Sequence, residues 1–338
     1  MNIIEFEERL ARWRSDAYRH RRVDPATGGF RPLSGSVADF TAVESAGRFH
    51  FFYIERRLAE GTPFYPGNEI YFGHASTADF TAWDVHDPVL LVRPGSWEGA
   101  HVWAPFILPW KGRYLMAYTG LNDHLSQDIG LAFSDDLFHW DRWEGNPISP
   151  CRDRPWSFWR TDGIASCRDP HLMELDGNLL MAYTANTRDG RSCIALAESA
   201  DGLRWSDRGP ILLGPRDGYE PRLEGNHPQG SLESANLFHR AGSWRLVFNA
   251  AVRGYAARYW IVEAPALDRF DFESRREFWA EGGCIERLAS RGSLDLLAGV
   301  SYGVIRLGTV DWSREPARAD TIASLDELEP WKRGPREA

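Results

Sequence analysis

Two carboxylates stand at matching places in a recurring pattern and a third lies one residue off it: Asp39 in VADFTAV, Asp169 in CRDPHL and Glu233 in SLESANLF. Counting back eight residues from the turn glycines Gly47, Gly112, Gly177 and Gly242 reaches Asp39, Ala104, Asp169 and Ser234, with Glu233 one residue before the last. Carboxylates gathered in one pocket raise the pKa of at least one member, so one acid keeps its proton while another stays ionised. Cleavage of a glycosidic bond needs that division of labour. A single acid ahead of a strand also has a local use, because it accepts backbone N–H bonds in an Asx turn, and Asp169 before Pro170 suits that role. It is the convergence of three acids that points to chemistry. The offset of Glu233 would reverse its side-chain direction in a regular strand, so a bulge or an irregular strand start is required there.

The elements that must position these acids repeat. The segments AGRFHFFYI, KGRYLMAYT, DGNLLMAYT and AGSWRLVFN place their turn glycines 65 residues apart. Downstream, HASTADFTAW, AFSDDLFHW and AESADGLRW close at Trp83, Trp140 and Trp205, and APALDRFDF is a degenerate fourth copy. Short runs rich in β-branched and aromatic residues, broken by glycine and acidic turns, argue for strands throughout. A repeating unit of four strands is a propeller blade. A fifth blade can be assembled from GCIERLASRGSLDLLAGVSYGVIRLGTVDW around Gly292, closed by strand material from the N-terminal region. The predicted fold is therefore all-β, a five-bladed β-propeller over residues 23–315. Ile4, Leu10 and Trp13 predict a short helix within residues 1–22 that packs on the propeller, and residues 316–338 read as a loose surface tail. In a propeller the innermost strands start at one mouth of the channel, so repeat register becomes proximity.

Composition narrows the partners. The chain has 338 residues, 43% of them hydrophobic, with 39 Lys and Arg against 48 Asp and Glu, and no basic block that could follow a phosphate backbone. Nucleic acid and anionic membrane surfaces are disfavoured, whereas an oligosaccharide or small glycoside is compatible. The N-terminal stretch is interrupted by charge from Glu5 onward and no apolar run is long enough to span a bilayer, which leads us to expect a cytoplasmic protein. Cys151, Cys167, Cys193 and Cys284 show no CxxC or zinc-like spacing and are expected to be reduced. No HExxH, Walker loop or GxSxG occurs, no organic cofactor is expected, and no spacing motif marks a metal site.

With these residues in view, the chain resembles the five-bladed propeller glycoside hydrolases of families 32 and 43. Arg168-Asp169-Pro170 matches the Arg-Asp-Pro motif of family 32, and the run from Glu233 to Phe238 is similar to its Glu-Cys-Pro-Asp-Leu-Phe. Gly73-His74-Ala75-Ser76 followed by Trp83 resembles a further family-32 segment, while Trp103-Ala104-Pro105 is similar to family 43. The resemblance implies furanosidic substrates, fructosyl before arabinosyl. It implies Asp39 as nucleophile (family 32) or general base (family 43), Asp169 as the residue that holds substrate hydroxyls and tunes the acid, and Glu233 as general acid. Asp39 is followed by Phe40 where the family-32 motif has proline. Arg168, Trp103, His101 and Asn236 complete the expected substrate-binding set. Sugars stack on aromatic rings, which favours Trp103, although most tryptophans in such a fold serve packing. Arg168 also has a plainer use as a salt bridge between blades. Two other readings share the same mouth: a propeller that binds carbohydrate without cleaving it, and an enzyme that transfers the glycosyl group to a sugar acceptor.

Overall fold

A computed structural model describes residues 21–24, 26–32, 35–56, 69–215, 232–240, 242–250, 258–280 and 283–331. Five antiparallel sheets follow one another along the chain. Blade 1 comprises Ser36–Ser45, Arg48–Arg56, Phe72–Thr77 and Trp83–Val89, and blade 2 comprises His101–Trp110, Arg113–Leu121, Gln127–Ser134 and Asp141–Arg142. Blade 3 is Cys167–Leu175, Asn178–Asn186, Ser192–Ser199 and Ser206–Leu213; blade 4 is Leu232–Arg240, Ser243–Ala250, Arg258–Ala264 and Arg276–Trp279. Blade 5 runs through Gly283–Arg291, Leu294–Ser301 and Val304–Asp311, and Phe30–Pro32 from the chain's N-terminal side pairs with its third strand, closing the ring. Phe30 is fully buried and stacks on Trp83 at 4.4 Å, which fixes that closure against blade 1.

The 65-residue period has a local cause. Ser45 pairs with Arg48, Trp110 with Arg113 and Leu175 with Asn178, so each inner hairpin turns in two residues. Both turn residues take positive φ: Ala46 and Gly47 (49° and 77°), Lys111 and Gly112 (49° and 82°), Asp176 and Gly177 (51° and 80°). This is the geometry that matches strand twist, and glycine is the residue that adopts it at least cost. The acidic turns repeat as well: Thr77, Ser134 and Ser199 hydroxyls accept the N–H of Phe80, Leu137 and Gly202, each at 2.8 Å. Asp79, Asp136 and Asp201 then accept the next two backbone N–H groups.

Two boundaries differ from the expectation. Residues 1–20, where the short helix was predicted, lie outside the described residues; Arg21–Val23 form a strand on Phe30–Pro32. Over the described residues 316–331 the segment is no loose tail: Ala319–Thr321 pairs with Val304–Asp311, and Leu325–Trp331 forms a 3-10 turn with Leu328 buried among Phe30, Phe80 and Leu296. Ala317, Ala319, Ile322 and Leu328 are buried against the blades, which a Pro-, Arg- and Glu-rich composition conceals. All four cysteines carry free thiols, three of them buried. Among the described residues no helix is long and apolar enough to cross a membrane.

Candidate active site

Each innermost strand is irregular at its start. Register shifts fall between Val37 and Phe40, Trp103 and Phe106, Arg168 and His171, Glu233 and Asn236, and Gly283 and Ile285. Ala104, Asp169, Ser234 and Cys284 adopt positive φ (44°, 56°, 51° and 32°), a conformation that costs an L-residue about 1–2 kcal/mol and persists only where the surroundings hold it. Asp39, in the blade-1 shift, does not share it.

The distorted starts are joined in a closed ring. Thr41 Oγ1 accepts the N–H of Ile107, Thr119 Oγ1 accepts that of Asp169, and Asp169 Oδ2 accepts that of Ser234 at 3.0 Å. Asn236 Nδ2 donates to the Ile285 carbonyl, and the Cys284 thiol to the Phe40 carbonyl. Ring and bulges open on a cavity of about 630 Å³ whose walls include Asp39, Arg56, Trp103, Gln127, Arg168, Asp169, Glu233 and Asn249. That size accommodates a small glycoside.

Within this cavity Arg168 is the hub. Its guanidinium lies 3.4 Å from Asp169 Oδ2 and 3.2 Å from Glu233 Oε2, and donates to Gln127 Oε1 and Ser166 Oγ. Asn249 Nδ2 donates to the other Glu233 oxygen at 2.8 Å. Both oxygens of Glu233 are therefore directed, although its side chain remains 37% exposed. Burial holds Asp39 above the usual carboxylate range, the charges of Asp169 and Glu233 push the same way, and Arg56 and Arg168 oppose them. Burial also raises Asp169, against Arg168 and the Ser234 N–H. Burial works against the charge on Arg168, but Asp169 and Glu233 more than offset it and the guanidinium stays protonated.

Of the residues expected from sequence, Asp39, Asp169, Glu233, Arg168 and Trp103 share this cavity. Trp103 is held by its indole N–H, which donates to Glu69 Oε2 at 2.6 Å, while Arg56 pairs with the other Glu69 oxygen. His101 and Asn236 are not on its walls. His101 is buried behind Trp103, its ring stacked at 5.8 Å, and Asn236 points past the bulge to the Ile285 carbonyl as a link of the ring. Arg56, Glu69, Gln127 and Asn249 were missed. Asn249 was within reach of the same counting, since Thr119, Thr184 and Asn249 follow their turn glycines at a constant interval and stand opposite Trp103, Arg168 and Glu233. Arg56 and Glu69 carry no such signal. Among the described residues the cluster spaced to hold an ion is His50, His74 and His86 in blade 1, away from the cavity.

Residues 34–264 match the model of the glycosyl hydrolases family 32 N-terminal domain. Among solved structures, a variant of the Bombyx mori family-32 β-fructofuranosidase in complex with sucrose is 15% identical with a TM-score of 0.65, the match covering 96% of this chain and 70% of that one. Fructan 1-exohydrolase IIa from Cichorium intybus is 18% identical (TM-score 0.64, 93% of this chain and 63% of that one). The endo-arabinase from Bacteroides thetaiotaomicron is 11% identical (TM-score 0.60, 89% and 96%). These likenesses are of fold. Among curated proteins none matches the chain by sequence.

Proposed function

The chain belongs to glycosyl hydrolase family 32, and from that premise we propose that this glycosidase cleaves furanosidic bonds, fructosyl before arabinosyl, with Asp39, Asp169 and Glu233. The observation that carries this reading is the meeting of three carboxylates from three blades on one cavity, with Arg168 between two of them. The sucrose complex of the Bombyx mori relative supports a fructosyl substrate; the likeness to an arabinase makes arabinosyl the next choice.

In this reading Asp39 attacks the anomeric carbon as the glycosidic C–O bond breaks, and the departing oxygen takes its proton from Glu233. Water then attacks the glycosyl-Asp39 ester, returns a proton to Glu233 and frees the carboxylate, so configuration is retained. Asp169 stays out of bond making. Its Oδ2 is anchored by the Ser234 N–H and Arg168, and it accepts hydroxyl hydrogen bonds that tighten as positive charge builds on the ring. Arg168 and Asn249 aim Glu233, and Trp103 offers an apolar face to the sugar.

The test is hydrolysis of sucrose, short fructo-oligosaccharides and nitrophenyl arabinofuranoside by the parent, Asp39→Asn and Glu233→Gln. Cleavage of a fructoside by the parent, with losses of about 10²-fold or more in both variants, is the expected result. A parent that binds these sugars and cleaves none of them, or variants as active as the parent, would overturn it.

A further inference from the structure

Blade 1 holds a second cluster that the chemistry above does not use. His50, His74 and His86 come from three successive strands and each brings one ring nitrogen within 4.8 Å of the others. His50 Nδ1 lies 3.0 Å from His74 Nε2, and Ser76 Oγ lies 2.9 Å from His86 Nε2. His74 is fully buried and meets His50 through its Nε2.

Phe138 covers the cluster. Its ring, 44% exposed, lies 5.8, 5.0 and 5.1 Å from the rings of His50, His74 and His86. A large apolar side chain left half in solvent over three imidazoles suits a lid on a small site better than a core position. Arg48 opposes a cation here, but it is paired with Asp84, and Asp84, Asp87 and Asp136 act on the cluster with negative charge.

We propose that His50, His74 and His86 bind one divalent transition-metal ion, zinc by preference, as a three-imidazole set with water in the fourth position, tying the outer strands of blade 1 together. Zinc–nitrogen bonds of about 2.0–2.1 Å in a tetrahedral site place ligand nitrogens roughly 3.3 Å apart. The His50–His74 pair already stands near that spacing, and His86, the one of the three with appreciable solvent exposure, has room to close in. Hard cations that prefer oxygen are excluded by the all-nitrogen donor set. None of the three histidines lines the cavity, so this site is separate from the carboxylates.

The full chain, stripped with a chelator, is titrated with zinc chloride by calorimetry, and with cobalt(II) by absorption spectroscopy. One zinc per chain at micromolar affinity or tighter, an intense four-coordinate cobalt band and a zinc-dependent rise in Tm are expected. Losing a direct ligand in His86→Ala should weaken binding by more than the 10–100-fold typical of an outer-shell change. Failure of the parent to take up either ion overturns the proposal whatever the variants do. So does uptake that is unchanged in His86→Ala, or in His50→Asn should the first variant not fold.

Discussion

Blades 3 and 4 begin with the same distorted backbone and use it differently. In blade 3 the carboxylate sits on the positive-φ residue, Asp169, and the preceding residue is the cation Arg168; in blade 4 the positive-φ residue is Ser234 and the preceding residue is the carboxylate Glu233. Both acids nevertheless face one cavity. A bulge removes the strict alternation of a strand, so two adjacent residues can project to the same side. Arg168 and Glu233 thus become matched positions on neighbouring blades and form an ion pair at 3.2 Å. The difference teaches that the repeat supplies two chemically useful positions per blade.

The largest effect should separate the acid from the nucleophile. On sucrose, Asp39→Asn and Glu233→Gln both lose about 10²–10⁴-fold in kcat. On a nitrophenyl fructoside, whose leaving group needs no protonation, Glu233→Gln recovers most of its first step and Asp39→Asn does not. Equal losses on both substrates would break the assignment of blade 4 to acid catalysis. Asp169→Ala should cost about 10²-fold in kcat with the fold retained, because it removes transition-state contacts and the anchor of the Ser234 N–H together.

A pH effect comes next. Asp39 and Asp169 hold protons in the folded protein that the unfolded chain gives up near the ordinary carboxylate pKa. Stability is therefore full below that range, falls as pH rises through the raised folded values, and is level above them. Asp39→Asn should have a higher Tm than the parent at neutral pH, the gap closing below about pH 4. The acid limb of kcat/KM should likewise lie above the ordinary carboxylate range, since Asp39 must lose its proton to attack. Thermal unfolding and initial rates across pH check both.

Smaller effects sharpen the comparison. Trp103→Ala should raise KM about three- to tenfold with kcat little changed, as loss of stacking predicts. Ser234→Gly should leave kcat within about twofold of the parent and shift stability by less than about 1 kcal/mol, because relief at positive φ and the entropy of glycine oppose each other. Blade 4 would then be shown to need the bulge's shape at residue 234 and its chemistry at 233.

Much of this was legible because the turns are local. Two positive-φ residues in the inner hairpins of blades 1, 2 and 3 demand glycine at a fixed place, and the count from Gly177 led directly to Asp169. The offset of Glu233 showed that something irregular was required, without saying what. Asn236 and His101 were misplaced because their neighbours are set across blades: the Ile285 carbonyl takes the Asn236 amide, and Trp103 shuts off His101. The histidine cluster left no motif, since its members lie on three strands and only the sheet brings them together.

Sequence by itself determined the five-fold β architecture, the order of the blades and which acids stand at the strand starts, since these follow from turn stereochemistry and strand patterning, which act over a few residues. The tertiary structure decided that Asp169 and Glu233 share one guanidinium, that Glu69 holds both Arg56 and Trp103, and that burial, with the charges of Asp169 and Glu233, holds Asp39 above the usual carboxylate range. Those outcomes depend on distance and desolvation in three dimensions, and neither is set until the ring closes.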